Sequence, residues 1–160
     1  PRRWRVGLLL DAAYSQSRGG NREAVKRLLD RAENAAPGET RDFAGAWVLE
    51  RYTWHHAPWL QALRSEVLLA RARLLDAPEA RTRAIELMHR VVDAMPYSIP
   101  NTLRLARLLD DSGRGDEAIA WYERALWISE KNYLDPAKQL TKAERQAIEQ
   151  RVAALRRAHP

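Results

Sequence analysis

The sequence predicts an all-α fold assembled from helix–turn–helix repeats. Apolar residues recur at helical rather than alternating spacing almost throughout, and the interruptions fall at glycine and proline turns. The chain also resembles itself at a lag of 34 residues: Leu69, Ala72-Arg73-Leu74-Leu75-Asp76, Ala84-Ile85 and Arg90 return as Leu103, Ala106-Arg107-Leu108-Leu109-Asp110, Ala118-Ile119 and Arg124. A period of this length is one helix–turn–helix unit, which cannot bury its apolar face alone and stacks on its neighbours.

Taken in order, the punctuation predicts about eight helices. The first covers 4–17 and stops at Gly19-Gly20; Asn21 caps a second through 34, closed by Pro37-Gly38. A third covers 41–54. Pro58 ends that stretch and opens a fourth to 76, because proline fits a first turn but not a helix interior. Pro78 opens a fifth, 78–94, ended by Pro96, and Ser98 is the candidate cap of a sixth reaching 111. After Gly113 and Gly115 a seventh covers 116–131. Thr141 with Glu144 has the spacing of a capping box and announces the eighth, in which Ile148, Val152 and Leu155 form a single apolar stripe. Such a helix suits the open end of a stack.

A chain of 160 residues, 46% hydrophobic, can bury a continuous core and is expected to be one domain. Basic residues number 27 against 21 acidic, for a net charge of +6. The excess is mostly arginine, which forks onto carboxylates or phosphates and so suits an acidic partner; a GC-rich coding sequence gives the same excess. No cysteine is present, which excludes disulfides and thiol chemistry and leaves the compartment open. No apolar run approaches the roughly 18 residues of a spanning helix. The chain begins at Pro1 rather than Met, and the expectation is a processed form or a piece of a larger protein.

Position by position, the repeat resembles the tetratricopeptide (TPR) family. Ala72 and Ala106 stand at the family's small first-helix position. Ala84 and Ala118 match the small residue of its second helix, Met88 and Tyr122 the large one, and Val91 and Ala125 the later small one. The closing proline is present as Pro96 and replaced by Glu130. Leu75 and Leu109 stand where an aromatic is usual, Leu68 and Thr102 replace the initial Trp, and the Leu kept as Leu105 becomes Arg71. A degenerate copy at the start places Ala13, Val25, Leu29, Ala32 and Pro37 at the same internal spacing, against a competing register through Ala12 and Ala24. The expected organisation is a degenerate repeat over 1–38, an inserted aromatic-rich segment over 39–64, repeats over 65–98 and 99–132, and a capping helix over 141–158. The resemblance implies a right-handed solenoid, an α–α superhelix.

It also implies that first-helix side chains line a concave groove for a peptide or partner helix, which assigns Leu69, Arg73, Asp76, Leu103, Arg107 and Asp110 to partner binding. Each Arg can alternatively pair with its own Asp at i, i+3, a solvated contact of about 0.2–0.5 kcal/mol. The family's Lys and Asn clamp for a terminal carboxylate is not reproduced, since Arg replaces the Asn. The inserted segment holds Phe43, Trp47, Tyr52, Trp54 and Trp59. With Trp121, on the expected outer face, Trp47, Trp54 and Trp59 form a candidate contact patch; core packing is the competing reading. Trp127 ranks behind Trp121.

Neither a catalytic site nor a cofactor is expected. The sequence lacks a nucleophile elbow, a P-loop, a dinucleotide fingerprint and a zinc-protease helix. His55 and His56 are consecutive and point about 100° apart on a helix, so no metal site is expected. The leading reading is a protein-binding scaffold. A second starts from the last 40 or so residues, whose L-D-P-x-x-Q-L stretch, Leu134 to Leu140, resembles tails of bacterial O-antigen ligase or polymerase-like membrane proteins. It implies an accessory domain attached to membrane spans upstream. The basic-aromatic start Arg2-Arg3-Trp4-Arg5 fits the cytoplasmic side of such spans, and a cytoplasmic location is favoured over a periplasmic one. A nucleic-acid binder ranks last, because basic and acidic residues alternate instead of segregating. Oligomeric state is left open.

Overall fold

In the computed structural model, which describes residues 2–36, 49–132 and 139–158, helices account for nearly every residue and no strand occurs among those described. They are α1 (Arg2–Arg18), α2 (Arg22–Ala35), α3 (Leu49–Leu75), α4 (Pro78–Ala94), α5 (Ile99–Asp110), α6 (Gly115–Lys131) and α7 (Lys142–Ala158). The all-α class is thus as expected. The expected third helix begins outside the described residues and, from Leu49, continues into the fourth without a break at Pro58. A proline forfeits only one N–H, and strong helix formers follow it in Gln61-Ala62-Leu63-Arg64, so the pattern on either side overrides the local stop signal.

Three turns share one construction. Gly20, Asp76 and Gly113 have φ of 72°, 55° and 74°, the left-handed region. After each, the next N–H reaches back five residues: Asn21 to the Gln16 carbonyl at 3.2 Å, Ala77 to Ala72 at 3.3 Å, Arg114 to Leu109 at 3.0 Å. This is the closure that satisfies orphan carbonyls at a helix end. In each case the next helix begins two residues after the left-handed one. Asp76 bears a strain the two glycines do not, because a side chain crowds the backbone there. Replacing Asp76 with Gly is therefore expected to raise unfolding stability by about 0.5–1 kcal/mol, read from chemical denaturation, while Gly113→Ala lowers it.

The start signals divide similarly. Asn21 Oδ1 accepts the Ala24 N–H at 3.1 Å, as a cap should. Thr141 and Glu144 close the full box: the Thr141 N–H donates to Glu144 Oε2 at 2.8 Å and the Glu144 N–H to Thr141 Oγ1 at 3.2 Å. Ser98 occupies the cap position of α5 but its hydroxyl makes no capping bond. Pro100 stands second in α5 and has no N–H to offer, which removes one of the two usual donors.

The chain divides into two compact units, Pro1–Val91 and Val92–Pro160. In the first, α1 and α2 pack on each other and on α3. Val6, Ala32, Ala36, Leu63 and Val67 form one buried cluster and Ala13, Val25, Leu29 and Ala70 a second, bridged by Leu10. In the second unit α5 packs on α6 and α6 on α7. The matched small and large helix positions of the repeats are buried: Ala13, Val25, Leu29 and Ala32; Ala72, Ala84, Met88 and Val91; Ala106, Ala118, Tyr122 and Ala125. The closing Pro96 is exposed, and Pro37 lies outside the described residues. Ala12 and Ala24 are only partly buried, so the burial pattern follows the Ala13 register.

Position 71 departs from this apolar rule for an electrostatic reason. Leu105, its counterpart, is fully buried. Arg71 instead reaches α2, where its Nη2 lies 2.6 Å from Asp30 Oδ1 and 3.2 Å from Glu33 Oε2. Arg64, two turns earlier on α3, pairs with Glu33 at 3.1 Å and donates to the Ala36 carbonyl at 3.1 Å. The α2–α3 contact is therefore apolar on one side and ionic on the other. The Arg71 hydrogen bond holds the Asp30 carboxyl below its usual range, against the opposing pull of burial.

Candidate partner-binding surfaces

The first helix of each clear repeat presents an exposed arginine directly after a buried alanine: Ala72 then Arg73 on α3, Ala106 then Arg107 on α5. Consecutive helical residues diverge by about 100°, so burying the small residue turns the next one outward. The two aspartates one turn later are not alike. Asp76 lies beyond the end of α3 in its left-handed turn and is exposed. Asp110 is the last residue of α5, and its carboxylate is gripped by α7 rather than by Arg107. Arg151 Nε donates to Oδ2 at 2.7 Å and Nη2 to Oδ1 at 2.6 Å, a two-pronged pair. The Tyr122 hydroxyl donates to the same Oδ2 at 3.3 Å.

The electrostatics follow from these contacts. Hydrogen bonding from Arg151 holds the Asp110 carboxyl below its usual range, with burial acting in the opposite sense. Burial pushes the Tyr122 hydroxyl up to about 12, helped by the Asp110 charge beside it. With Asp110 neutralised by α7, the α5 rung is left with Arg107, which forms no ion pair among the described residues. Of the apolar groove candidates, Leu103 is buried and Leu69 partly so.

Two further Arg–acid contacts fasten α7 to α6: Arg145 to Glu130 at 3.0 Å, and Arg156 to Glu123. Ahead of α7, the Leu140 N–H donates to Oγ of buried Ser129 at 2.9 Å, and Gln139 Nε2 donates to the Asn132 carbonyl at 3.0 Å. The last two residues of the L-D-P-x-x-Q-L stretch thus tie the end of the connection back to α6. Its first five positions lie outside the described residues.

The aromatic candidates separate as well. Trp47 lies outside the described residues, and the side chains of Trp54 and Trp59 do too. Trp121 is partly buried, whereas Trp127 is 41% exposed, the reverse of the expected ranking. The reason is helical phase. Trp121 stands three residues after Ala118 and four before Ala125, along the edge of the buried stripe, while Trp127 faces away from it. Arg124 lies 5.0 Å from the Trp127 ring centroid and Lys131 5.8 Å, both within cation–π range.

No group of three or more metal-ligating side chains occurs among the described residues, and no helix among them is long and apolar enough to cross a membrane. Compared with known proteins, the chain matches no family model, no curated protein and no solved structure.

Proposed function

We propose that this chain is a TPR-like helical-repeat module, right-handed and solenoidal, that acts without catalysis by binding an acidic peptide or helix. The turn closure shared by three helix pairs and the burial of the matched small and large helix positions support the repeat reading. One observation carries the binding reading: Arg73 and Arg107 are exposed at equivalent places in the two clear copies. The partner is read by first-helix residues, above all Arg107 on α5 and, in the other unit, Arg73 on α3. Because Arg151 already neutralises Asp110, the α5 rung selects for negative charge in the ligand.

Titration of the full chain with labelled acidic and basic helical peptides tests this. Acidic peptides are expected to bind, and Arg107→Glu or Arg73→Glu to weaken binding about tenfold with the circular dichroism spectrum unchanged. Undiminished binding by the Arg73→Glu/Arg107→Glu protein would sink the reading. A duplex nucleic acid that outcompetes the acidic peptides, with a steep salt dependence, would favour the basic nucleic-acid binder instead.

A further inference from the structure

We propose a second, separate docking surface on α6, formed by Arg124, Trp127 and Lys131 and suited to an extended acidic peptide. Trp127 is the most exposed described residue of its size on α6, and the charges around it are arranged with a bias. Glu123 and Glu130, the acids within one turn of it, are occupied by Arg156 and Arg145 of α7. The cations are not. Arg124 donates to the neutral Pro96 carbonyl at 3.5 Å and Lys131 rests against the ring, and neither forms an ion pair among the described residues. The result is an indole with two unneutralised cations over it, beside acids that are spent on α7.

This arrangement fits an acidic chain in particular. Carboxylates of the ligand draw off Arg124 and Lys131, exposing ring area on which an apolar ligand side chain packs. The Arg124 bond also brings the Pro96-Tyr97 turn to the same place, and Tyr97 is 65% exposed, giving the ligand a second aromatic along its path. A membrane is the weaker match. The Trp127 ring is partly covered by Arg124 and Lys131, and the acids Glu123 and Glu130 flank it, which is not the broad apolar face by which an interfacial helix lies in a membrane. Since α6 is the second helix of its repeat, this surface involves neither Arg73 nor Arg107. It does not rest on the groove reading.

The test uses the full chain and a labelled glutamate-rich peptide carrying leucines, read by fluorescence anisotropy. The expected result is saturable binding that weakens as salt rises through physiological strength. Measured in the Arg73→Glu/Arg107→Glu background, which removes the groove's own hold on acidic peptides, Arg124→Glu/Lys131→Glu should weaken the remaining binding about tenfold and Trp127→Ala several-fold. Arg124→Gln/Lys131→Gln, which cannot introduce repulsion, should show the same direction. Complete loss of binding in the Arg73→Glu/Arg107→Glu background, with full retention in the α6 variants of the otherwise unchanged chain, would overturn this inference and leave the groove reading standing. No binding, or preferential binding to phosphatidylserine vesicles that the α6 variants abolish, would also overturn it.

Discussion

Leu105→Ala is expected to lower unfolding stability by about 2–5 kcal/mol and the melting temperature of the second unit by about 10 °C or more. Leu105 is fully buried in α5, and truncation removes both its transfer energy and the contacts of the atoms that surround it. Leu105→Arg should cost more still, because a guanidinium at that site loses its hydration. The same residue type is accommodated at position 71 only because Asp30 and Glu33 meet it there. Leu8, half exposed on α1, supplies the contrast: Leu8→Ala should move stability by no more than about 0.5 kcal/mol. Differential scanning calorimetry of the three variants checks the ordering, and equal losses at positions 8 and 105 would contradict the burial pattern.

The Asp110 cluster makes stability sensitive to pH from both sides. Asp110 titrates below its unfolded value near 3.8, so its contribution is complete above that pH and lost as pH falls through the lower folded value. Tyr122 titrates above its unfolded value of 10.0, so its contribution is present below that pH and disappears as pH rises toward about 12. Arg151→Ala should therefore destabilise at neutral pH by about 1–3 kcal/mol, since it leaves a nearly buried carboxylate with only Tyr122 for company. It should also flatten the acid limb. Tyr122→Phe should flatten the alkaline limb while costing less at neutral pH. Urea midpoints measured across the pH range distinguish these effects, and limbs unchanged in both variants would remove Asp110 from the account.

Helix positions were legible wherever turn chemistry and apolar spacing agreed, as at Gly20, Gly113 and the Thr141–Glu144 box. Pro58 misled because one missing N–H is a local cost that a long helix absorbs. Asp76 was unreadable as a left-handed residue, since its identical counterpart Asp110 remains helical; Pro78 forces α4 to begin early and pulls the turn forward by three residues. The buried repeat positions could be found from spacing alone, because a small residue at a helix crossing has a fixed place in the repeat. The partners of the charged residues could not. Asp110 to Arg151 and Arg71 to Asp30 join residues 41 positions apart, a separation at which sequence carries no phase relation between side chains. Arg71, standing where the later copy has Leu105, was a visible signal of an ionic contact, though not of its partner.

The Arg-rich attachment of α7 bears on how the protein opens. Three apolar residues, Ile148, Val152 and Leu155, and three arginines secure a helix whose remaining surface is largely exposed. Less apolar area holds it than holds α5, so its amides should exchange with solvent through a local opening of lower free energy than global unfolding. Raised ionic strength should speed that exchange by screening the exposed pairs, leaving the α5 amides nearly unaffected. Release of α7 frees Asp110 and with it Glu123 and Glu130, so the opened form is the more acidic at its α5 and α6 surfaces and the less receptive to negative ligands. On the proposed reading, binding of an acidic ligand and docking of α7 are thermodynamically linked: a ligand that prefers the docked form slows the fraying of α7.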